Sequence, residues 1–165
     1  MKEYPKVAVI YFPWKSPGPY KFLTDMMYIL EPISGSIVLI GGQTNRITYL
    51  PKKASVEDIG LMMYYTNEMQ SSPLSALFRI IRCIHVQVLT SCKLIRNKKN
   101  IDVALFYMAY PYYLLPLLAA KLLNMATVEV ITRSKSKTLT GRVIDSIYFR
   151  LLDGISPESD ALVRE

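Results

Sequence analysis

Short runs of mainly apolar residues recur along the chain. Runs of this kind that are rich in β-branched residues are typical of strands buried on both faces, as in a parallel sheet. The runs are residues 7–12, 37–40, 103–107 and 127–132. We predict a buried strand at each of them.

Segments of helical length separate these runs, at residues 19–30, 74–95, 112–123 and 139–152. Strand and helix therefore alternate, which is the pattern of crossovers on a parallel sheet. We predict an α/β fold: a doubly wound, mostly parallel Rossmann-like sheet with helices on both faces.

Two further stretches are candidates for short strands. Residues 46–50 follow the glycine pair that ends the second run, and residues 153–156 come after the last predicted helix. The segment 51–72 stays unassigned, because its charged first part resembles a solvated loop while residues 61–65 are apolar and aromatic. Neither an internal repeat nor a linker divides the chain, so we expect residues 1–165 to form one domain.

Residues 103–120 form the longest uncharged stretch of the chain, and its 18 residues are just enough for a membrane-spanning helix. Pro111 and Pro116 argue against one continuous helix. A strand, a loop and a helix with Pro116 in its first turns also account for the stretch. We favour this division, and a small integral membrane protein is the alternative.

Composition narrows the class of protein. The chain has 20 Lys and Arg against 13 Asp and Glu, a net charge of +7, and 51% of its residues are hydrophobic, which excludes disordered and low-complexity classes. Two cysteines and one histidine supply neither a disulfide framework nor a zinc site. We expect a cytoplasmic protein without a metal. The basic residues match no nucleic-acid-binding motif, which disfavours such a partner.

The predicted helix near residues 74–96 is amphipathic. Its polar side carries Ser75, Arg79, Arg82, His85, Lys93 and Arg96, and its apolar side carries Leu77, Ile80, Ile81, Ile84, Val88, Cys92 and Ile95. One interpretation is a surface helix packed on the sheet. Another is a helix beside anionic lipid at the inner face of the membrane, where Arg79, Arg82, Lys93 and Arg96 would face lipid or acceptor. We expect His85 to be exposed, and Cys83 and Cys92 to lie in the core.

In an open α/β sheet, ligands bind beyond the carboxyl ends of the strands, where helix amino termini favour anions. The loop after the run 127–132 concentrates positive charges and hydroxyls, which makes Arg133, Ser134 and Lys135 candidates for holding a phosphate or a sugar diphosphate. A solvated basic loop is the alternative. In the first loop Gly18 is either a turn glycine or a point where substrate approaches the backbone. No pattern of residues identifies a catalytic group.

Five passages together resemble a known family. They are KVAVIYFP at 6–13, residues 21–42, residues 78–108, YYLLPLLAAKLL at 112–123 with VEVITRSKS at 128–136, and LDGISPES at 152–159. Their order resembles the amino-terminal, acceptor-side half of group 1 (family 4) glycosyltransferases, whose GT-B architecture has two facing Rossmann-like domains. Ser159 takes the place of the serine that closes the family's last strand.

The resemblance implies the acceptor-binding half of a hexosyltransferase that moves a sugar from a nucleotide-sugar donor to a glycan or a lipid-linked acceptor. The family has paired glycines that face the donor phosphates, and Gly18 is the one residue of this chain that matches them. We find no counterpart in this chain of the family's donor-binding half, which carries two glutamates separated by seven residues. We therefore expect a carboxyl-terminal half or a partner chain to supply it, and the chain alone to be inactive. The rival hypothesis is a non-catalytic module that binds a partner protein or a membrane surface.

Overall fold

The computed structural model describes residues 4–13, 18–61, 73–107, 113–131 and 139–157. Within them the chain alternates between strands and helices. The elements are β1 (Lys6–Tyr11), α1 (Gly18–Leu30), β2 (Ser36–Gly41), β3 (Ala54–Asp58), α2 (Pro73–Arg96), β4 (Val103–Tyr107), α3 (Leu114–Leu122), β5 (Ala126–Ile131), α4 (Leu139–Leu151) and β6 (Gly154–Pro157).

The strands form one six-stranded sheet in the order β3-β2-β1-β4-β5-β6. Every neighbouring pair is parallel. The predicted doubly wound α/β fold is confirmed, and so are its four buried strands and the short last strand. The four buried strands lie where β-branched and other apolar side chains fill both faces of the sheet.

The predicted third strand is wrong. Residues 44–46 form a short 3-10 turn and residues 47–50 form no strand, whereas the third strand is β3, within the segment left unassigned. This strand lies at the edge of the sheet, so it needs no apolar run, and Val56 is 40% exposed. The Lys53 ammonium donates to the carbonyl oxygens of Glu31 and Ser34, which fixes the approach to the strand.

The core consists of two layers, one on each face of the sheet. Alternate residues of β1 divide between them, because successive side chains of a strand point to opposite faces. Val9 and Tyr11 pack with α1, whereas Ile10 and Phe12 belong to the layer beneath α2, α3 and α4. Helices on both faces were predicted, and this is confirmed.

The uncharged stretch 103–120 is divided as predicted. Residues 103–107 are β4, paired with β1 on one side and β5 on the other, and α3 begins at Leu114 with Pro116 in its first turn. Proline is tolerated there because the first amides of a helix have no intrahelical acceptor. In the parts of the chain that the structure describes, no helix is both long and apolar enough to cross a membrane.

The side of α2 that packs on the sheet is not its apolar side. Val86, Thr90 and Leu94 are buried, whereas the apolar positions Leu77, Ile80, Ile81, Ile84, Val88 and Ile95 are exposed. The prediction that this helix packs on the sheet is confirmed. The periodicity implied that the apolar side would face the sheet, and this is wrong. His85 is exposed as predicted, Cys83 is half-buried against the core, and Cys92 is exposed, so its assignment to the core is wrong.

Asp153 joins three elements at the start of β6. Its carboxylate accepts from the Lys121 ammonium at 2.6 Å and from the Thr127 amide and hydroxyl at 2.8 and 3.0 Å. Lys121 lies in the last turn of α3 and Thr127 lies in β5, so the carboxylate holds the last strand in register. The Lys121 ion pair, followed by the Thr127 bonds, lowers the pKa of Asp153 to about 2.

Replacing Asp153 with asparagine is expected to lower the melting temperature near neutral pH. A carboxyl whose pKa is depressed in the folded state stabilises the fold above its unfolded pKa of about 4, and this contribution is lost as pH falls towards 2. The difference in melting temperature between wild type and variant should therefore shrink over that range. Asp25→Asn, at an exposed carboxylate on α1, is the matched control. A difference independent of pH would contradict the assignment.

Candidate functional site

The candidate site lies where the order of strands reverses. From β1 the chain builds outward to β2 and β3, and it then returns to build β4, β5 and β6 on the other side. Crevices at such switch points, beyond the carboxyl ends of the strands, are the usual ligand sites of open α/β sheets. Tyr11 and Tyr107 are register partners at the ends of β1 and β4, so they lie at this point.

Tyr11 is held by the glycine pair that ends β2. Its buried hydroxyl donates to the Gly42 carbonyl at 2.7 Å, and burial, followed by the charges of nearby groups, raises its pKa. A Cβ at position 41 would lie 2.3 Å from the Tyr11 ring. Glycine is needed there for a steric reason, since the ring occupies the space of a side chain.

Tyr113 fixes the other side of the switch point. It is fully buried at the start of α3, and its hydroxyl donates to the Tyr11 carbonyl at 3.1 Å and lies 3.4 Å from the Thr90 hydroxyl of α2. Burial raises its pKa, so the hydroxyl stays a donor. The end of β1, the start of α3 and the middle of α2 are therefore joined through one side chain.

The amino end of α3 already has a polar partner. The Leu115 amide donates to the side-chain oxygen of Gln87 at 3.0 Å, so one of the amides that would otherwise face a ligand is satisfied from α2. By contrast, α1 begins at the exposed Gly18, at the carboxyl end of β1.

Several polar side chains border the site beyond the end of β2. Asp58 accepts from the Thr44 hydroxyl at 3.0 Å and from the Gly60 amide at 2.6 Å, which closes the turn after β3. The Arg46 guanidinium lies 5.6 Å from the centre of the Tyr20 ring. Burial raises the pKa of Tyr20, while Arg46 opposes this rise. Hydroxyl, carboxylate and guanidinium groups thus surround the carboxyl ends of β2 and β3.

The predicted site residues fall into three groups. Gly18 begins α1 at the switch point. Arg133, Ser134 and Lys135 lie outside the described residues, after β5. On α2, Arg82 and Arg96 are exposed and Arg79 is half-buried, whereas Lys93 donates to Glu57 of β3 at 2.7 Å. Lys93 therefore faces the edge strand. Within the described ranges, no group of three or more His, Cys, Asp or Glu is placed to hold a metal.

The aromatic lining of the site was not foreseen. Tyr11, Tyr107 and Tyr113 are buried, and Phe22 of α1 stacks on Tyr107 with ring centres 4.7 Å apart. The available signal was a tyrosine at the end of one predicted strand, Tyr107, and next to the end of another, Tyr11. Whether those two strands are neighbours depends on the strand order, which the sequence pattern does not specify.

Similarity to known proteins is found in the fold rather than in the sequence. No protein-family model matches the chain, and no curated protein matches it. Among solved structures, MurG of Acinetobacter baumannii superposes with a TM-score of 0.57 at 12% identity over 96% of this chain and 42% of its own. Phytolacca americana UGT2, solved with UDP-2-fluoro-glucose and pterostilbene, has a TM-score of 0.54 at 13% identity over 82% and 32%.

A UDP-N-acetylglucosamine 2-epimerase is similar as well, with a TM-score of 0.55 at 11% identity over 92% of this chain and 42% of its own. The chain thus spans less than half the length of each of these proteins. The likeness is one of fold: the chain has a Rossmann-like α/β fold that superposes on part of each of these proteins.

Proposed function

We propose that this chain is the amino-terminal, acceptor-binding half of a group 1 (family 4) glycosyltransferase. The carrying observation is the extent of the structural likeness: nearly the whole chain superposes on less than half of a GT-B protein. The order of sequence passages from residues 6–13 to 152–159 supports the amino-terminal half in particular. The acceptor would be a glycan or a lipid-linked sugar, handled at the cytoplasmic face of the membrane.

The geometry of the switch point supports a binding role. Its floor consists of buried aromatic rings joined by hydrogen bonds between hydroxyls and backbone carbonyls, so it is rigid before any ligand arrives. The rings themselves are buried, so they would support the loops that bind a sugar rather than contact it. The donor phosphates would be held at the start of α1 near Gly18 and by Arg133, Ser134 and Lys135.

The decisive experiment starts from the coding sequence that follows the Glu165 codon and from the adjacent reading frame. We expect a second α/β half with two glutamates separated by seven residues. Both halves are then expressed together, and transfer of labelled sugar from UDP-glucose and UDP-N-acetylglucosamine to a lipid extract is measured. Transfer by the pair and none by either half alone is the expected result. Absence of such a half, with no transfer, would refute the proposal.

The basic loop can be tested in the same assay. Replacing Arg133 and Lys135 together with alanine is expected to lower kcat/KM by roughly tenfold or more, because hydrogen bonds to charged groups are worth about 1.5–3 kcal/mol. Lys52→Ala, at an exposed lysine before β3, is the control for loss of positive charge. If both variants lost the same activity, the loop would not hold the donor phosphates.

The non-catalytic module is the second candidate. The observation that favours it is the exposed apolar side of α2, a surface that suits attachment to a partner or a membrane. A reunited pair of halves that transfers sugar would exclude it.

A further inference from the structure

The strand β3 forms one edge of the six-stranded sheet. It pairs with β2 on one side, and among the described residues no strand lies on its other side. Its side chains at Ser55 and Val56 are exposed, that of Val56 by 40%. An edge strand presents unpaired amides and carbonyls, and these form a template for pairing with another strand.

The backbone groups of β3 alternate between its two sides. The Lys53 carbonyl accepts from the Ile37 amide of β2 at 3.3 Å. The Ile59 amide, six residues further on, donates to the Gly41 carbonyl at the end of β2 at 2.8 Å. The odd-numbered residues of β3 therefore direct their amides and carbonyls towards β2, and the even-numbered residues direct theirs outward.

The outward groups belong to Ala54, Val56 and Asp58. The Ala54 amide already donates to the Pro51 carbonyl at 2.9 Å, in the turn before the strand. The groups that face outward for pairing are therefore the carbonyl of Ala54 and the amide and carbonyl of Val56 and of Asp58.

The strand β3 itself lacks the features that commonly keep an edge from pairing, which are prolines, bulges and unpaired charges. It has no proline, and its register with β2 is unbroken over its five residues. The Glu57 carboxylate binds the Lys93 ammonium at 2.7 Å. The Asp58 carboxylate accepts from the Thr44 hydroxyl at 3.0 Å and from the Gly60 amide at 2.6 Å. Both carboxylates thus have partners within the chain, and neither blocks the approach of a second strand.

The charges along this edge are complementary to themselves. The passage KKASVED at 52–58 begins with Lys52 and Lys53 and ends with Glu57 and Asp58. In a second copy running parallel, cations would lie beside cations and carboxylates beside carboxylates. In the antiparallel direction the cationic start of each strand lies beside the acidic end of the other, which is favourable. Charge therefore favours a second copy of this chain, in antiparallel orientation, as the partner of β3.

The outward backbone groups select the register of such a pair. With a two-fold axis at Val56, the Val56 residues of the two copies exchange their amide-to-carbonyl bonds, and each Asp58 amide meets the Ala54 carbonyl of the other copy. An axis at Ser55 would instead place the Val56 carbonyl opposite the Ala54 amide, which Pro51 already occupies. The axis at Val56 therefore satisfies more of the outward groups, and it brings the two exposed valine side chains together.

We propose that two copies of this chain associate through β3, in antiparallel pairing about a two-fold axis at Val56. The six strands of each copy then continue into one sheet of twelve. Because the paired strands run in opposite directions, the two switch points open on opposite edges of that sheet. The strand β3 lies two strands from β1, about 10 Å, so the contact leaves both switch points open. Such pairing needs neither a donor nor an acceptor.

Sedimentation equilibrium of the whole chain, over a range of protein concentrations, tests the association. We expect a reversible equilibrium between monomer and dimer. Val56→Lys places two ammonium groups at the axis and should weaken the dimer about tenfold or more. Val143→Lys is the matched control, at a valine of α4 that is 55% exposed, and it should leave the dimer unchanged.

A second variant removes a backbone donor instead of adding a charge. Val56→Pro eliminates the outward amide, and it breaks no bond to β2, because proline is tolerated on an edge strand where its nitrogen faces solvent. Circular dichroism should show a folded chain, while the dimer weakens about tenfold or more through the loss of the bonds at the axis. A dimer of unchanged strength in a folded Val56→Pro variant would overturn the proposal.

Chemical crosslinking tests the register directly. In a background with Cys83→Ala and Cys92→Ala, a short bismaleimide should join two copies through Val56→Cys. The Cα atoms of a hydrogen-bonded antiparallel pair lie about 5.5 Å apart, which such a reagent spans. Val143→Cys in the same background is the control and should give no crosslinked dimer. Equal crosslinking through both positions would contradict the pairing.

Two further outcomes would overturn the proposal. One is a chain that stays monomeric at every concentration. The other is a dimer that survives Val56→Lys but is lost in the Ile81→Ser, Ile84→Ser variant, because the contact would then lie on the exposed apolar side of α2. Since no sugar is present in these experiments, their failure leaves the proposed sugar transfer to its own assay.

Discussion

Replacing Gly42 with alanine is expected to lower the free energy of unfolding by about 3 kcal/mol, at the upper end of the usual cost of overpacking a core. A Cβ at this position would lie 2.2 Å from the Leu61 carbonyl oxygen and 2.9 Å from the Pro13 Cβ. The backbone oxygen cannot be moved by a change of rotamer, so the loop itself must shift. Urea unfolding followed by circular dichroism measures the loss.

Gly154→Ala is the matched control, because a Cβ there would make an ordinary contact of 3.6 Å with Val128. It should cost well under half as much. The neighbouring variant Gly41→Ala should be rescued in part by Tyr11→Leu, which removes the ring that the new methyl would strike at 2.3 Å. Additive effects of Gly41→Ala and Tyr11→Leu would show that the ring is not what requires a glycine.

Stability should also fall steeply in alkaline solution. Burial raises the pKa of Tyr11, Tyr113 and Tyr148 above 10, and in Tyr148 the Glu129 carboxylate, to which its hydroxyl donates at 2.9 Å, adds to the rise. In the unfolded chain these tyrosines ionise near pH 10. A raised folded pKa gives stability that is present below the unfolded pKa and lost above it.

Three such groups contribute a slope of about 4 kcal/mol for each pH unit above roughly 10.5, since one proton corresponds to about 1.4 kcal/mol per unit. Urea unfolding at several alkaline pH values measures it. Tyr113→Phe should reduce the slope by about a third. Tyr4→Phe, at a side chain that is 59% exposed, should leave it unchanged. An unaltered slope in Tyr113→Phe would mean that this hydroxyl ionises within the folded protein.

The candidate site was predictable only in its location. Parallel strands place their carboxyl ends on one edge, so the loops after the apolar runs were expected to hold it, and Gly18 does lie there. The bond from Tyr113 to the Tyr11 carbonyl joins residues distant in sequence, and it depends on how α3 and α2 meet β1. Local patterns contain no information about such contacts. The part played by Arg133, Ser134 and Lys135 stays a prediction.

The sequence by itself determined the alternation of strands and helices, because a strand buried on both faces must be apolar throughout and because Pro111 and Pro116 argue against one continuous helix in the long uncharged stretch. It did not determine β3, since an edge strand is half-solvated and its charged residues resemble a loop. It divided α2 into an apolar and a polar side, but only the tertiary structure decided which side meets the sheet. Glu57 binds Lys93, and Tyr113 lies beside Thr90, so a side of α2 with both polar and apolar residues faces the sheet and the apolar side is left exposed.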